Sequence, residues 1–273
     1  MQAGCRSGAA RAGMPAMADL LRSELLTAHG FVHGFSLRTG GTSAAPFDTL
    51  NLGRGLGDEA SAVEENHRRF ALALPVERER LFEISQVHGR SVRFVDGADS
   101  VAAVREEQGD ALATATPGVA VGVRIADCVP ILVADPRTGA VAAVHAGWRG
   151  TVVHVLEAAV EVLVERAGVR PDDLVAAVFP HIRLAAFEVG DEVAAEIAAA
   201  AGTSAVIDRS YPKPHADLTR VVRTQLVGLG LDASRIDEVG GCTFADRERF
   251  FSFRRDGRNS GRHLAAIVAR APS

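Results

Sequence analysis

The sequence has few cysteines, and they lie far apart. Three occur in 273 residues, Cys5, Cys128 and Cys242, and no two of them form a Cys-x-x-Cys pair. A small secreted domain held together by disulfides contains more cysteines than this. The count therefore excludes a disulfide scaffold and indicates a reducing compartment, so we expect a cytoplasmic protein.

Other absences exclude further classes of protein. No apolar run reaches the roughly 18 residues of a membrane-spanning helix, and a net charge of −4 provides no basic surface for nucleic acid. We therefore expect neither a membrane partner nor a nucleic-acid partner. Residues 1–17 contain all three methionines but not the apolar segment of a signal peptide, which predicts a disordered N-terminal tail.

The order of predicted elements indicates a single α/β domain over residues 18–273. Short β-branched runs alternate with helical patterns, and neither an internal repeat nor a linker separates them. We expect a layered α/β sandwich with one mixed sheet. The predicted helices are 18–28, 61–74, 152–167, 191–201 and 217–229, and the predicted strands are 31–37, 81–86, 91–95, 119–125, 131–134, 140–144, 174–179, 236–239, 250–253 and 263–268.

A hairpin in the middle of the chain organises the predicted site. Residues 131–134 and 140–144 are apolar runs joined by a turn sequence that contains proline and glycine, so two paired strands are predicted. Cys128 precedes the first strand and His145 follows the second, which should bring them to neighbouring strand ends. His88 lies beside a glycine in a tight turn between two other strands and is the third candidate.

These three side chains suit a catalytic zinc site with an open fourth position, because thiolate and imidazole are common zinc ligands. The same residue types permit other chemistry. Cys128 and His145 also fit a nucleophile and its base, and two histidines with a cysteine also fit a blue-copper centre. Copper normally needs a weak axial ligand, often methionine, and no methionine follows Met17. A buried cysteine and ordinary core histidines are the non-functional interpretation.

Four more polar residues are candidates for the surroundings of this site. Asp110 and Asp127 are acids that could orient an imidazole or handle protons. Arg38 heads a glycine-rich loop, where its planar guanidinium could hold phosphate. Arg149 leads into a helix N-terminus, a favourable place for an anion. Each has a plainer interpretation as a turn, cap or surface residue, and we interpret the basic residues of 254–262 as surface charge.

Several short segments, taken together, resemble one family over about residues 31–268. They are FSLRTGG at 35–41, LNLG at 50–53, QVHG at 86–89, DALAT at 110–114, ADCVP at 126–130, HAGWRGT at 145–151, FEVG at 187–190, FSFRRD at 251–256 and GR at 261–262. The ADC and HAGWRG segments are the most specific. With them the chain resembles the YfiH-like, laccase-domain family of purine nucleoside phosphorylases, once labelled polyphenol oxidases.

The resemblance implies a zinc ion held by His88, Cys128 and His145, in a fold related to the cysteine-hydrolase-like fold of CNF toxin and YfiH. It also implies phosphorolysis of adenosine, inosine, guanosine and S-methyl-5′-thioadenosine, with adenosine deamination as a second activity. Purine nucleosides and phosphate are then the expected ligands, and the oligomeric state is left as monomer or homodimer. The candidate substrate-binding residues are Arg38, Asn51, Asp110 and Arg149, and the candidate catalytic residues are Cys128, His145 and Asp127.

Three alternatives to this activity stay open. The first is a Cys128–His145 hydrolase that acts on a small amide or peptide-like metabolite. The second is a copper-dependent polyphenol oxidase, against which the lack of His-x-His pairs and of suitable methionines argues. The third is a metal-binding interaction module without catalytic activity.

Overall fold

The computed structural model describes residues 17–273, so the predicted tail lies outside the described residues except for Met17. The strands are β1 (Leu20–Leu21), β2 (His33–Ser36), β3 (Leu81–Phe82), β4 (Val92–Phe94), β5 (Ala111–Thr114), β6 (Ala120–Ile125), β7 (Val129–Ala134), β8 (Val141–Ala146), β9 (Val175–Val178), β10 (Ile207–Asp208), β11 (His215–Ala216), β12 (Ile236–Glu238) and β13 (His263–Val268). The α-helices are α1 (Glu24–Ala28), α2 (Ala60–Ala73), α3 (Val101–Glu106), α4 (Trp148–Val152), α5 (Val155–Ala167), α6 (Asp191–Ala200), α7 (Leu218–Gly228) and α8 (Phe253–Asp256). Within this range, no helix combines the length and the apolar character that crossing a bilayer requires.

Two mixed sheets lie in the middle of the molecule, whereas the sequence predicts one. The first has the strand order β1-β2-β13-β6-β3, and the second has the order β12-β9-β7-β8-β5-β4. Most neighbours are antiparallel, but β3 runs parallel to β6, β4 to β5, and β9 to β12. β10 and β11 form a separate antiparallel pair.

The side chains on the two faces of each sheet account for the layers. Successive residues of a strand point to opposite faces, and on β7 Leu132 packs between the two sheets while Ile131 packs under the helices α5, α6 and α7. On the outer face of the first sheet, Leu264 and Ala266 pack with Phe70 of α2. The layers are therefore helix, sheet, sheet and helix, which confirms the predicted layered α/β sandwich. The single-domain organisation of residues 18–273 stays a prediction.

The central hairpin has the predicted form. β7 and β8 pair antiparallel, with Val129 opposite Ala146 and Pro130 opposite His145. The connecting turn places Gly139 at φ 76°, and a Cβ there would lie 2.0 Å from the carbonyl oxygen of Arg270, so only glycine fits. This pairing brings Cys128 and His145 to the same edge of the second sheet.

One predicted strand is wrong, and one predicted helix begins later than expected. The apolar run 250–253 is not a strand: Phe250 and Phe251 are buried in irregular chain, and α8 begins at Phe253, after Ser252 accepts a hydrogen bond from the backbone of Arg255. Burial of aromatic side chains makes such a run look like a strand. The helix predicted over 152–167 is α5, which begins later, at Val155, because His154 directly before it adopts φ 59°.

Candidate metal centre

Three side chains from separate loops and strand ends meet at this edge of the second sheet. Cys128 directly precedes β7, His145 is near the end of β8, and His88 lies in the loop between β3 and β4. One donor atom from each lies within 4.8 Å of the others, and the Cys128 Sγ to His88 Nε2 distance is 3.9 Å. No other such group of three or more potential ligands occurs within residues 17–273. The set matches a three-ligand metal site with an open position.

The His88 loop is held in place by its neighbours in sequence. The Gln86 side chain donates to the backbone oxygen of Arg124 and accepts from its backbone nitrogen, each at 2.8 Å, which fastens the loop to the edge of β6. His88 itself adopts φ 61°, a left-handed conformation uncommon outside glycine. The fixed loop directs an exposed imidazole toward the buried His145.

Asp110 connects both histidines. Its Oδ1 accepts hydrogen bonds from Nδ1 of His145 at 2.8 Å and from the backbone nitrogen of His88 at 2.9 Å, and its Oδ2 accepts from the backbone of Gly89 at 2.6 Å. Burial would raise the pKa of Asp110, but the hydrogen bonds from His145 and from this backbone outweigh it and lower the pKa. An ionised carboxylate that fixes Nδ1 leaves Nε2 of His145 as the free nitrogen, an arrangement typical of metal-binding histidines.

The same contacts favour a thiolate at Cys128. Burial disfavours the ionised thiol, but the charge of His145 and hydrogen bonds from His145 and His88 outweigh it and lower the pKa of Cys128 to about 6. Burial also disfavours the charged form of His145, yet Cys128 and Asp110 together raise its pKa. A thiolate is the form of cysteine that binds metals and also the form that attacks carbonyl carbon. Electrostatics by itself therefore permits both the metal site and the nucleophile.

Gly147 leaves room for the cluster. A Cβ at this position would lie 2.9 Å from Cδ2 of His88 and 3.0 Å from Sγ of Cys128. We expect Gly147→Ala to displace both side chains and to weaken metal binding by about tenfold or more, the size of effect seen when the surroundings of metal ligands change. Competition with a chromophoric chelator measures this affinity.

Gly228→Ala is the control for this prediction, because a Cβ on Gly228 meets nothing within 4 Å. It should bind metal like the unaltered protein. Equal metal affinity in the Gly147 and Gly228 variants would show that the close approach at Gly147 is unimportant for the site.

A cavity of about 380 Å³ opens in front of the cluster. The three candidate ligands line it, together with Arg54, Arg124 and Arg262. Gln86 and Phe253 also line the cavity. A cavity of this size takes a small organic molecule, and its walls combine a potential metal site with several positive charges.

Asp127 lies beside Cys128 but has no free carboxylate oxygen. Oδ1 accepts a hydrogen bond from the hydroxyl of Thr243 at 2.6 Å, and Oδ2 accepts one from the backbone nitrogen of Arg254 at 2.6 Å. Asp127 also adopts φ 90°. These contacts tie the turn before β7 to the start of α8, and the catalytic role of Asp127 stays a prediction.

The structure does not bring three of the predicted substrate-binding residues to this cavity. Arg38 lines a different cavity of about 730 Å³, where its guanidinium donates to the backbone of Asp48 and Arg247. Asn51 is fully buried. Arg149 is exposed and lies over the ring of Trp148, 4.4 Å from its centroid. The fourth, Asp110, contacts the candidate ligands.

The sequence interpretation missed the cavity arginines. Arg124 is the charged residue in the otherwise apolar strand β6, and that interruption was the available signal. The interpretation of 254–262 as surface charge is wrong for Arg262, which lines the cavity, and for Arg255. The guanidinium of Arg255 is largely buried and donates to the carbonyl oxygens of Thr243 and Phe250. These hydrogen bonds stabilise the irregular chain before α8.

Known proteins resemble this chain along most of its length. The family model described as multi-copper polyphenol oxidoreductase laccase matches residues 32–270. A purine nucleoside phosphorylase of Deinococcus radiodurans is 40% identical over 236 residues, which cover 86% of this chain and 88% of that protein. One of Streptomyces griseus is 41% identical over 239 residues, 86% of this chain and 92% of that protein.

Solved structures share the fold. YlmD from Geobacillus stearothermophilus superposes with a TM-score of 0.85 at 31% identity, covering 94% of this chain and 100% of that chain. The Bacillus licheniformis hypothetical protein YfiH also superposes with a TM-score of 0.85, at 27% identity, over 95% of this chain and 98% of that one. With a family model, curated relatives and solved structures in agreement, the chain belongs to the laccase-domain family of YfiH and YlmD.

Proposed function

We propose that this protein is a zinc-dependent purine nucleoside phosphorylase. It would convert adenosine, inosine, guanosine or S-methyl-5′-thioadenosine and phosphate into the free base and ribose 1-phosphate, with adenosine deamination as a second activity. The observation that carries the proposal is the convergence of His88, Cys128 and His145 on one open cavity. Relatives at about 40% identity that bear the name purine nucleoside phosphorylase support it.

The residues present fit zinc. Imidazole and thiolate are common zinc ligands, catalytic zinc typically has three protein ligands, and the carboxylate of Asp110 orients His145 in the way that is typical of metal-binding histidines. The space that Gly147 leaves beside the ligands is a second sign of a built site.

The donor set fits a multicopper centre poorly, despite the description of the family model. Such a centre needs several groups of ligands, whereas residues 17–273 contain one. The sequence also has no methionine after Met17 to serve as a weak axial ligand.

Zinc, when bound, would act as a Lewis acid that polarises a substrate group or activates water. The chain supplies the remaining functions. Asp110 fixes the orientation of His145 and of the His88 backbone, so that the cavity side of the cluster is organised before substrate binds.

A Cys128–His145 hydrolase is the second candidate, and one observation favours it. Asp110, His145 and Cys128 form an acid–imidazole–thiol series in which the Asp110 Oδ1 to His145 Nδ1 distance is 2.8 Å. This is the arrangement that orients a base beside a cysteine nucleophile. In that case activity on a small amide would survive a chelator and would be lost after alkylation of Cys128.

Incubation with adenosine, with and without phosphate, separates the candidates. The protein is purified without a nickel column and analysed for metal. We expect about one zinc per chain, with adenine or hypoxanthine and ribose 1-phosphate formed only when phosphate is present. Inosine alone would mean deamination without phosphorolysis. Zinc without turnover of any nucleoside would indicate a binding module, and activity that persists without metal would overturn zinc dependence.

We also propose a cytoplasmic location. Both cysteines within the described residues, Cys128 and Cys242, are free thiols. The candidate centre needs Cys128 as a thiolate, and a reducing compartment preserves that form. The expected result is that the untagged protein fractionates with the cytoplasm of its cell.

A further inference from the structure

Three arginines face the cavity that holds the candidate metal ligands. Arg54, Arg124 and Arg262 line it together with His88 and Cys128. The side chains of Arg54 and Arg124 are 24% and 16% exposed, so both are largely removed from water but accessible from the cavity. Positive charge on partly buried side chains attracts anions more strongly than charge on an open surface does.

Nearby carboxylates do not neutralise this charge. The buried Glu83 lies 3.7 Å from Arg54, 3.5 Å from Arg124 and 3.4 Å from Arg78, so one carboxylate is shared among three guanidinium groups. Glu64 pairs with Arg54 at 3.2 Å but is 62% exposed. Arg262 has no ion pair within the described part of the chain. The arginines at and beside the cavity therefore outnumber the carboxylates that pair with them.

Several contacts fix the position of Arg262. The side chain of Asn51 accepts hydrogen bonds from the backbone nitrogens of Gly53 and Arg262, at 2.8 and 2.9 Å. A Cβ on Gly53 would lie 2.7 Å from Cγ of Arg262, so only glycine leaves room for the arginine side chain at this point. Nη1 of Arg262 donates to the carbonyl oxygens of Ser260 and Gly261, which fixes the guanidinium plane. The segment around Asn51 thus serves to place one cavity arginine.

We propose that Arg124 and Arg262, with Arg54 beside them, form the subsite for the phosphate co-substrate. The proposal rests on the phosphorylase function proposed above. Arginine matches the oxygens of phosphate with paired donors, and these arginines share a cavity with the candidate metal ligands. Arg38, the residue that the sequence suggests for this role, lines a different cavity that includes none of the candidate metal ligands.

The subsite fits the chemistry of phosphorolysis. An oxygen of hydrogen phosphate forms the new bond to C1′ of the ribose while the bond between C1′ and the purine nitrogen breaks. The electron pair of that bond leaves with the purine, and the proton of hydrogen phosphate ends on it. Arginines that hold the anion in position contribute orientation and charge stabilisation without taking part in proton transfer.

Steady-state kinetics with inorganic phosphate as the varied substrate tests the proposal. We expect Arg262→Gln and Arg124→Gln each to raise the KM for phosphate on the order of tenfold or more, because each loses a charge-assisted contact. The KM for the nucleoside and the zinc content should change little. Arg209→Gln is the matched control, since that arginine is exposed and pairs with Asp191. If Arg262→Gln does not fold, Arg262→Lys keeps the charge without the paired donors and should give a smaller rise.

Calorimetric titration of the metal-loaded protein with inorganic phosphate separates this inference from the function on which it rests. If the protein catalyses phosphorolysis but both variants keep the KM for phosphate, the subsite is wrong and the function stands. If the protein binds phosphate, loses that binding in the variants and yet cleaves no nucleoside, the subsite stands and the function is wrong. A raised KM for phosphate in Arg38→Gln, with unchanged values in Arg124→Gln and Arg262→Gln, would instead assign phosphate binding to Arg38.

Discussion

Cys128→Ser is expected to remove bound zinc and to lower kcat/KM for adenosine phosphorolysis on the order of a thousandfold. The thiolate of Cys128 is one of three donors that lie within 4.8 Å of one another, and a serine hydroxyl is a poor replacement for it. Changing a residue that merely contacts a metal ligand costs about 10- to 100-fold, so removing a ligand should cost more. Metal analysis and initial rates on the same preparation measure both effects.

Cys242→Ser is the control, because Cys242 is the other free cysteine of the described residues and lies outside the cavity lining. Cys128→Asp adds a sharper comparison, since aspartate can bind zinc but cannot act as a sulfur nucleophile. Residual zinc-dependent activity in that variant favours the metal site. A Cys128→Ser protein that keeps both zinc and full activity would contradict the ligand assignment.

Glu83→Gln is expected to lower the free energy of unfolding at pH 7 by about 3–5 kcal/mol, the usual cost of removing one partner from a buried ion pair. Glu83 is 1% exposed and lies close to His67 and three arginines. Burial alone would raise its pKa, but the charges of His67 and of these arginines outweigh it and lower the pKa to about 2. His67 has its own pKa lowered to about 4, chiefly by burial, so at neutral pH it is uncharged and the arginines act alone.

This effect should depend on pH in a defined direction. Because the folded-state pKa of Glu83 is lowered, its contribution is fully present above the unfolded pKa of about 4.5 and is lost as the pH falls toward 2. Denaturant unfolding of Glu83→Gln and of the unaltered protein should therefore converge between pH 4.5 and 2.

Glu161→Gln is a suitable control for this prediction. Its carboxylate is 3.6 Å from Arg90, and both side chains are more than half exposed, so the pair should contribute almost nothing to stability. Equal unfolding free energies for Glu83→Gln and the unaltered protein at pH 7 would show that the buried cluster is not held together by this carboxylate.

The buried cluster also bears on the proposed phosphate subsite. Glu83 lies between Arg54, Arg124 and Arg78, and the first two reach the cavity. One buried acid thus holds the arginines in place while leaving part of their charge for a ligand. In Glu83→Gln the arginines lose this contact, which can change both the stability of the protein and the KM for phosphate. The two quantities should therefore be measured on the same preparation of this variant.

The sequence by itself determined the features that depend on neighbouring residues. Apolar runs around a turn with Gly139 predict the hairpin of β7 and β8, because strand periodicity and turn chemistry are local properties. The hairpin in turn predicts that Cys128 and His145 lie at one edge. The position of His88 in a turn added the third candidate ligand. Local patterns gave the wrong prediction at 250–253. The apolar side chains there are buried, but their backbone does not pair with a strand, so the sequence resembles a strand where none forms.

Only the tertiary structure decided which charged residues surround the cluster. Arg124 and Arg262 are far apart in the chain and meet because β13 pairs antiparallel with β6, with Leu264 opposite Arg124. Pairing between distant strands depends on the whole core and not on either segment. Long-range packing also places Arg38 in a different cavity and brings Asn51 into hydrogen-bond contact with the backbone of Arg262. The sequence thus specified the candidate metal ligands, and long-range strand pairing specified the charged cavity around them.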